Sequence, residues 1–115
     1  MSKEEAGKSY EDLKRVFSHI IMADKDYAKA FEELEDQAEK EGALSAKTKR
    51  LMSIAISVVS HCEYCIAYHV KVAIDLGATR KEIMETAMLA GMMGGGPAGA
   101  HIVHVIDACD YFGAK

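Results

Sequence analysis

The sequence predicts an all-α domain of five or six helices joined by short loops. Three observations predict it. Only one proline occurs in 115 residues, too few to punctuate a turn-rich β-protein. Alanine and methionine are plentiful, and β-branched residues fall mostly inside helix-length patterns. Apolar residues recur three and four apart along most of the chain, separated by capping residues and glycines. The length suits one domain over 1–115. An apolar fraction of 50% is too high for a disordered chain.

Residues 1–8 are polar and expected to fray. Ser9 resembles a helix cap with Asp12 in the first turn, and Leu13, Val16, Phe17, Ile20 and Ile21 form the stripe that follows. From about Asp24 a second segment carries Tyr27, Phe31, Leu34 and Ala38. Its acids Glu32, Glu33, Glu35, Asp36 and Glu39 read as a solvated face, and Gly42 is its expected end. Whether these segments make one bent helix or two is open. Ser45 caps the next helix, which runs to about Ser60. Leu51, Met52, Ile54, Ala55, Ile56, Val58 and Val59 make it apolar on nearly every side. Such a helix is hard to hide in a monomer of this size, so self-association is expected.

The next helix extends to Leu76, with Gly77 as its C-terminal cap. Thr79 and Glu82 form a capping box for a helix carrying Ile83, Met84, Ala87, Met88 and Met92. Gly94-Gly95-Gly96-Pro97 interrupts it. Pro97 suits the first turn of a last helix, with Ile102, Val103, Val105, Ile106 and Ala108. The weakly charged stretch 87–106 is long enough for a membrane span, but the glycine-proline break splits it into two buried helices. The triglycine is no phosphate loop, because it lacks the Lys and Ser/Thr and follows a helix.

The formal charge of −4, from 18 acidic and 14 basic residues, speaks against a nucleic-acid surface. The cluster Lys47, Lys49 and Arg50 reads as a solvated turn or a subunit salt-bridge patch. No export signal is seen in the charged N-terminus, so the cytoplasm is the expected location. A purely structural disulfide is not expected there.

The chemistry concentrates at His61-Cys62-Glu63-Tyr64-Cys65-Ile66-Ala67-Tyr68-His69. On a helix, Cys62, Cys65 and His69 would share one face. A helix start near Ser60 or His61 would lower a thiol pKa, and His69 could take or relay a proton. A dithiol beside an imidazole is a candidate redox couple. Two alternatives stay open. One is a buried pair of free cysteines. The other is a zinc site using Cys62, Cys65 and His69 with His61, His101 or His104. A c-type haem is excluded, because Ile66 stands where histidine must follow the second cysteine. His101, His104 and Asp107 could form a metal ladder, but read better as interface histidines. Cys109 reads as a small core residue.

Four segments together resemble the carboxymuconolactone decarboxylase and alkylhydroperoxidase D-like (AhpD-like) superfamily. They are Ile54-Ala55-Ile56-Ser57, Cys62 to His69, Gly77-Ala78-Thr79-Arg80-Lys81-Glu82-Ile83 and Met93-Gly94-Gly95-Gly96-Pro97. The resemblance covers residues 44–112. It implies a helical fold assembled as trimers or hexamers, with a redox-active disulfide and no cofactor. By resemblance Cys65 attacks a small hydroperoxide or disulfide, Cys62 resolves it, and His69 belongs to the proton relay. A partner protein would supply dithiol reductant; nucleic acid and membrane are not expected partners. The lactone decarboxylase branch does not rely on the cysteine pair, so thiol-independent chemistry is a further alternative.

One position departs from the pattern. The family relay places a glutamate twelve residues before the first cysteine, and here that residue is Arg50. An arginine cannot act as a base, although its charge could hold a thiolate or an anionic substrate. The candidate substitutes are Glu82, Glu85, Asp107, His61 and His101, whereas Glu63 would point off the cysteine face.

Overall fold

Short-range hydrogen bonds and glycines mark most of the helix boundaries among the described residues. The computed structural model describes residues 2–115 and consists of α1 (Lys3–Ala23), α2 (Lys25–Glu39), α3 (Ala46–Val59), α4 (Glu63–Asp75), α5 (Arg80–Gly94) and α6 (Gly96–Phe112). The carboxylate of Asp24 accepts the Tyr27 backbone N–H at 3.0 Å. This cap starts a new helix and divides α1 from α2. Ser45 accepts from the Thr48 N–H at 3.0 Å and opens α3. Thr79 and Glu82 exchange the two bonds of a capping box, at 3.1 and 2.9 Å, and open α5. Gly77 and Gly95 take φ of +90° and +82°, where a side chain would be strained. The break at Gly95 separates α5 from α6 as the sequence predicts.

The fully buried side chains Ile54 and Val58 of α3, Ile66 and Val70 of α4, Ile83 of α5, and Val105 and Cys109 of α6 form one core. Each buried aliphatic side chain contributes about 1.5–3 kcal/mol. The four central helices pack on one another, α1 lies across α4 and α6, and α2 packs on α1 and touches α3. No residue of α2 is buried. No helix among the described residues is long and apolar enough to cross a membrane.

The N-terminus differs from expectation. It is helical from Lys3, and Ala6 and Gly7 are buried. Ser9 is therefore mid-helix and the cap position is Ser2. The polar composition hid a small-residue contact: Gly7 faces the Tyr111 ring with no room for a methyl group. Farther along α1, Tyr10 stacks on Tyr68 at 5.9 Å and meets Phe112 edge-on at 5.3 Å. This aromatic group fixes α1 over α4. α2 also ends earlier than expected, at Glu39, and Gly42 lies in the loop beyond.

Apolar α3 is only partly covered. Ile54, Ser57 and Val58 are buried, but Met52, Ile56 and Val59 are exposed, as are Leu89, Met92 and Met93 of α5.

Candidate functional site: a dithiol at a helix cap

The link between α3 and α4 is three residues long, and its geometry decides where the cysteines go. His61 donates its N–H to Val58 O at 3.2 Å, and Cys62 donates to Ser57 O at 3.1 Å. His61 takes the left-handed conformation, φ 58°, which histidine enters more readily than most residues. This turn brings Cys62 to the N-cap of α4. Its Sγ accepts the Cys65 backbone N–H at 3.2 Å, where serine or aspartate usually offers an oxygen. Cys62 and Cys65 are joined by a disulfide, with their Cα atoms 5.3 Å apart.

The expectation of one helical face for all three residues holds only for Cys65 and His69. Cys62 precedes the helix and reaches Cys65 as a cap, so the helix begins after His61 and not at it. All three residues nevertheless line one pocket of about 260 Å³, with Ser53, Ile56, Ser57 and Ser60. Both cysteines are partly exposed, so they are not a buried structural pair.

His69 is half-buried. Burial, and secondly the charge of Arg50, push its pKa down to about 4. Arg50 Nη1 lies 2.9 Å from His69 Nδ1 and 2.9 Å from Glu39 Oε2. The Arg50 side chain is only 10% exposed, so Glu39 neutralises a nearly buried cation. Beside Glu39, Glu35 has its carboxyl pKa raised, first by burial and then by the Glu39 charge. The Tyr68 phenol is likewise raised by burial. Lys49 donates to Ala38 O at 3.0 Å and to Lys40 O at 2.7 Å, gripping the carbonyl end of α2.

The basic cluster is therefore engaged within the chain and is not merely a solvated turn. Lys47 pairs with Glu82 at 3.0 Å, while Lys49 and Arg50 fasten α2 to α3. The acid linked to His69, through Arg50, is Glu39, a residue assigned from sequence to a solvated face. None of the expected substitutes occupies that place. Glu82 is committed to Thr79 and Lys47. Glu63 approaches His104 at 3.9 Å. Asp107 lines a small groove with Ser9 and His104, and Glu85 does not line the cysteine pocket. A sequence signal for Glu39 did exist. Phe31, Glu35 and Glu39 are spaced four apart, so the acids continue the line of an aromatic that faces α1.

His61 and His101 stack at 4.8 Å, and His101 meets His104 at 5.3 Å. His101 Nδ1 donates to Pro97 O at 2.8 Å. Neither His61 nor His101 lines the pocket of the cysteines, so neither replaces the relay acid there. Among the described residues no group of three or more His, Cys, Asp or Glu side chains is arranged to hold a metal. The zinc set Cys62, Cys65, His69, His101 and His104 therefore does not converge. Cys109 is fully buried, and burial raises its thiol pKa to about 11, in keeping with a core role.

The sequence profile of the carboxymuconolactone decarboxylase family matches residues 25–108. The match takes in α2 as well as the motif-bearing helices. A protein of Paracoccus denitrificans described as "Uncharacterized protein 4 in cox locus" is 35% identical over 91% of this chain and 79% of its own length. An apo carboxymuconolactone decarboxylase family protein from Legionella pneumophila, lpg0406, superimposes with a TM-score of 0.83. It is 30% identical, and 96% of each chain is covered. The alkyl hydroperoxide reductase AhpD of Mycobacteroides abscessus is 36% identical over 45 residues, 39% of this chain and 26% of that protein. The chain belongs to the carboxymuconolactone decarboxylase/AhpD-like family.

Proposed function

Within that family, we propose that the chain is a thiol–disulfide oxidoreductase that reduces a small hydroperoxide or a disulfide through Cys65 and Cys62. The observation that carries this reading is the sulfur cap. The Cys65 N–H that meets Cys62 Sγ and the positive end of α4 would stabilise a Cys62 thiolate once the disulfide opens, in a pocket open to solutes.

That placement distributes the roles. A better-stabilised thiolate is a better leaving group in exchange. When an external dithiol opens the disulfide, it attacks Cys65 and Cys62 departs. In the reverse sense Cys65 carries the substrate-derived group and Cys62 displaces it. With a hydroperoxide, the Cys65 thiolate attacks one peroxide oxygen, the O–O bond breaks, and an alcohol leaves after protonation. The resulting sulfenic acid is attacked by Cys62, the disulfide forms, and water leaves. The dithiol is oxidised by two electrons and the hydroperoxide reduced by two. A dithiol-bearing partner protein restores the thiols. The exposed apolar side chains of α3 and α5, Ile56, Met92 and Met93 among them, support assembly as a homo-oligomer.

The test is a mass measurement on the reduced protein after one equivalent of an alkyl hydroperoxide or of a small disulfide. Loss of two hydrogens, mapped to a Cys62–Cys65 crosslink, is the expected result. Thiols that survive prolonged exposure to both reagents would overturn the reading. Activity retained after both cysteines are replaced would assign the site to thiol-independent chemistry.

A further inference from the structure

We propose that Glu39, acting through Arg50, is a positioning residue that holds His69 as the tautomer with its proton on Nε2, making His69 a hydrogen-bond donor to the dithiol and not its base. The proposal rests on the redox reading above for its chemical consequence, but its geometry stands without it.

The argument starts from what an arginine can do. A guanidinium has donors and no acceptor. Arg50 Nη1 lies 2.9 Å from His69 Nδ1, so Nδ1 must offer its lone pair. A neutral imidazole then carries its proton on Nε2. A carboxylate in the place of Arg50 would impose the opposite. It would accept from Nδ1–H and leave Nε2 free as a base. The arginine therefore inverts the histidine, and the family's acid at this position cannot simply be missing from an otherwise unchanged relay.

Glu39 makes the inversion stable. An arginine this nearly buried requires an anion, and Glu39 Oε2 receives the same Nη1 at 2.9 Å. The end of α2 that presents Glu39 is itself fastened by Lys49 through two carbonyls. The charged and titratable groups around this pair of helices are Arg50 on α3, Glu35 and Glu39 on α2, Tyr10 on α1 and Tyr68 on α4. Of these, Arg50 acts on the imidazole, adding to burial in keeping the ring neutral. His69 lies one turn beyond Cys65 and lines the same pocket. A neutral Nε2–H there can stabilise a Cys65 thiolate, or the oxyanion leaving it, without titrating in the physiological range.

The experiment is nitrogen NMR of the imidazole in the oxidised protein, with the His69 signal assigned by its loss in His69→Gln. The wild type is expected to show a protonated Nε2, an unprotonated Nδ1, and titration near pH 4. Glu39→Gln keeps an acceptor for the guanidinium and is expected to keep the tautomer. Glu39→Ala frees Arg50, and Arg50→Met removes it. Each is expected to give mixed tautomers, and Arg50→Met, which removes the cation beside the ring, is expected to move the titration up. In those two variants the pH profile of disulfide formation gains an inflection absent from wild type. An Nδ1–H tautomer in wild type overturns the proposal. So does an unchanged tautomer in Glu39→Ala, or an unchanged tautomer and titration in Arg50→Met. The NMR readout needs no turnover, so it distinguishes a failed clamp from a failed redox function.

Discussion

Replacing His69 by glutamine should flatten the acid side of the stability profile. The ring's pKa is lowered from 6.5 to about 4 in the folded protein. A displacement of that size corresponds to about 3.4 kcal/mol, at 1.36 kcal/mol per unit. Partial exposure of the ring reduces this to about 2 kcal/mol. The sign follows from linkage. Between the two values the unfolded chain binds a proton that the folded protein refuses, so stability rises with pH there. The contribution is complete above about pH 6.5 and is lost as pH falls towards 4. Urea unfolding of the oxidised wild type and of His69→Gln, measured from pH 7.5 to 4, isolates it. The raised Glu35 and the other carboxylates are present in both proteins and cancel in the comparison. Glutamine also keeps an acceptor for Arg50, so the clamp to α2 is not sacrificed. Wild type should lose about 2 kcal/mol more than the variant over that range. Equal losses, or a difference confined to the alkaline side, would refute the burial-and-charge account of this histidine.

Three other outcomes are expected. In Cys62→Ser, a small aromatic disulfide should become trapped as a mixed disulfide on Cys65, whereas Cys65→Ser should not accumulate the equivalent adduct on Cys62; tryptic mass mapping reads both. Alkylation of the reduced native protein at pH 7.5 should label Cys62 and Cys65 while Cys109, with its pKa near 11, reacts at least about 100-fold more slowly until denaturant is added. Gly94→Ala would place a methyl group 2.6 Å from Ala98 Cβ, which the backbone holds, and against the Val59 side chain, and should cost about 1–3 kcal/mol in thermal or urea unfolding.

The helices were legible because their signals are local. Ser45 and the Thr79–Glu82 pair act within four residues, and Gly77 and Pro97 mark boundaries by backbone restriction alone. The failures came where a distant partner decides. Nothing local says that Gly7 must face Tyr111, so a polar N-terminus read as frayed although α1 closes over α4 and α6. Cys62 is a smaller case of the same kind. Cysteine is not an expected cap, and the left-handed His61 that moves it there is invisible to a periodicity argument.

The site shows the same division in sharper form. Spacing grouped Cys62, Cys65 and His69, which lie within eight residues and line one pocket, although Cys62 reaches it as the cap and not from the helical face. The acid could not be found that way. Arg50 was read against its own column and looked like a lost glutamate. In space it is a connector, because its guanidinium reaches back to α2 and forward to α4. A guanidinium can bridge a carboxylate and an imidazole, which a second carboxylate at that place could not do. The negative charge therefore lies on α2, one residue removed from the ring through Arg50. That extra residue matters chemically. A carboxylate touching His69 would make the ring more basic, whereas the arginine adds to burial in making it less basic and, on the proposal above, fixes its proton on the opposite nitrogen. On the proposal above, arginine at position 50 changes what the histidine can give to the cysteines, and Glu39 is the anion that holds that arginine in place.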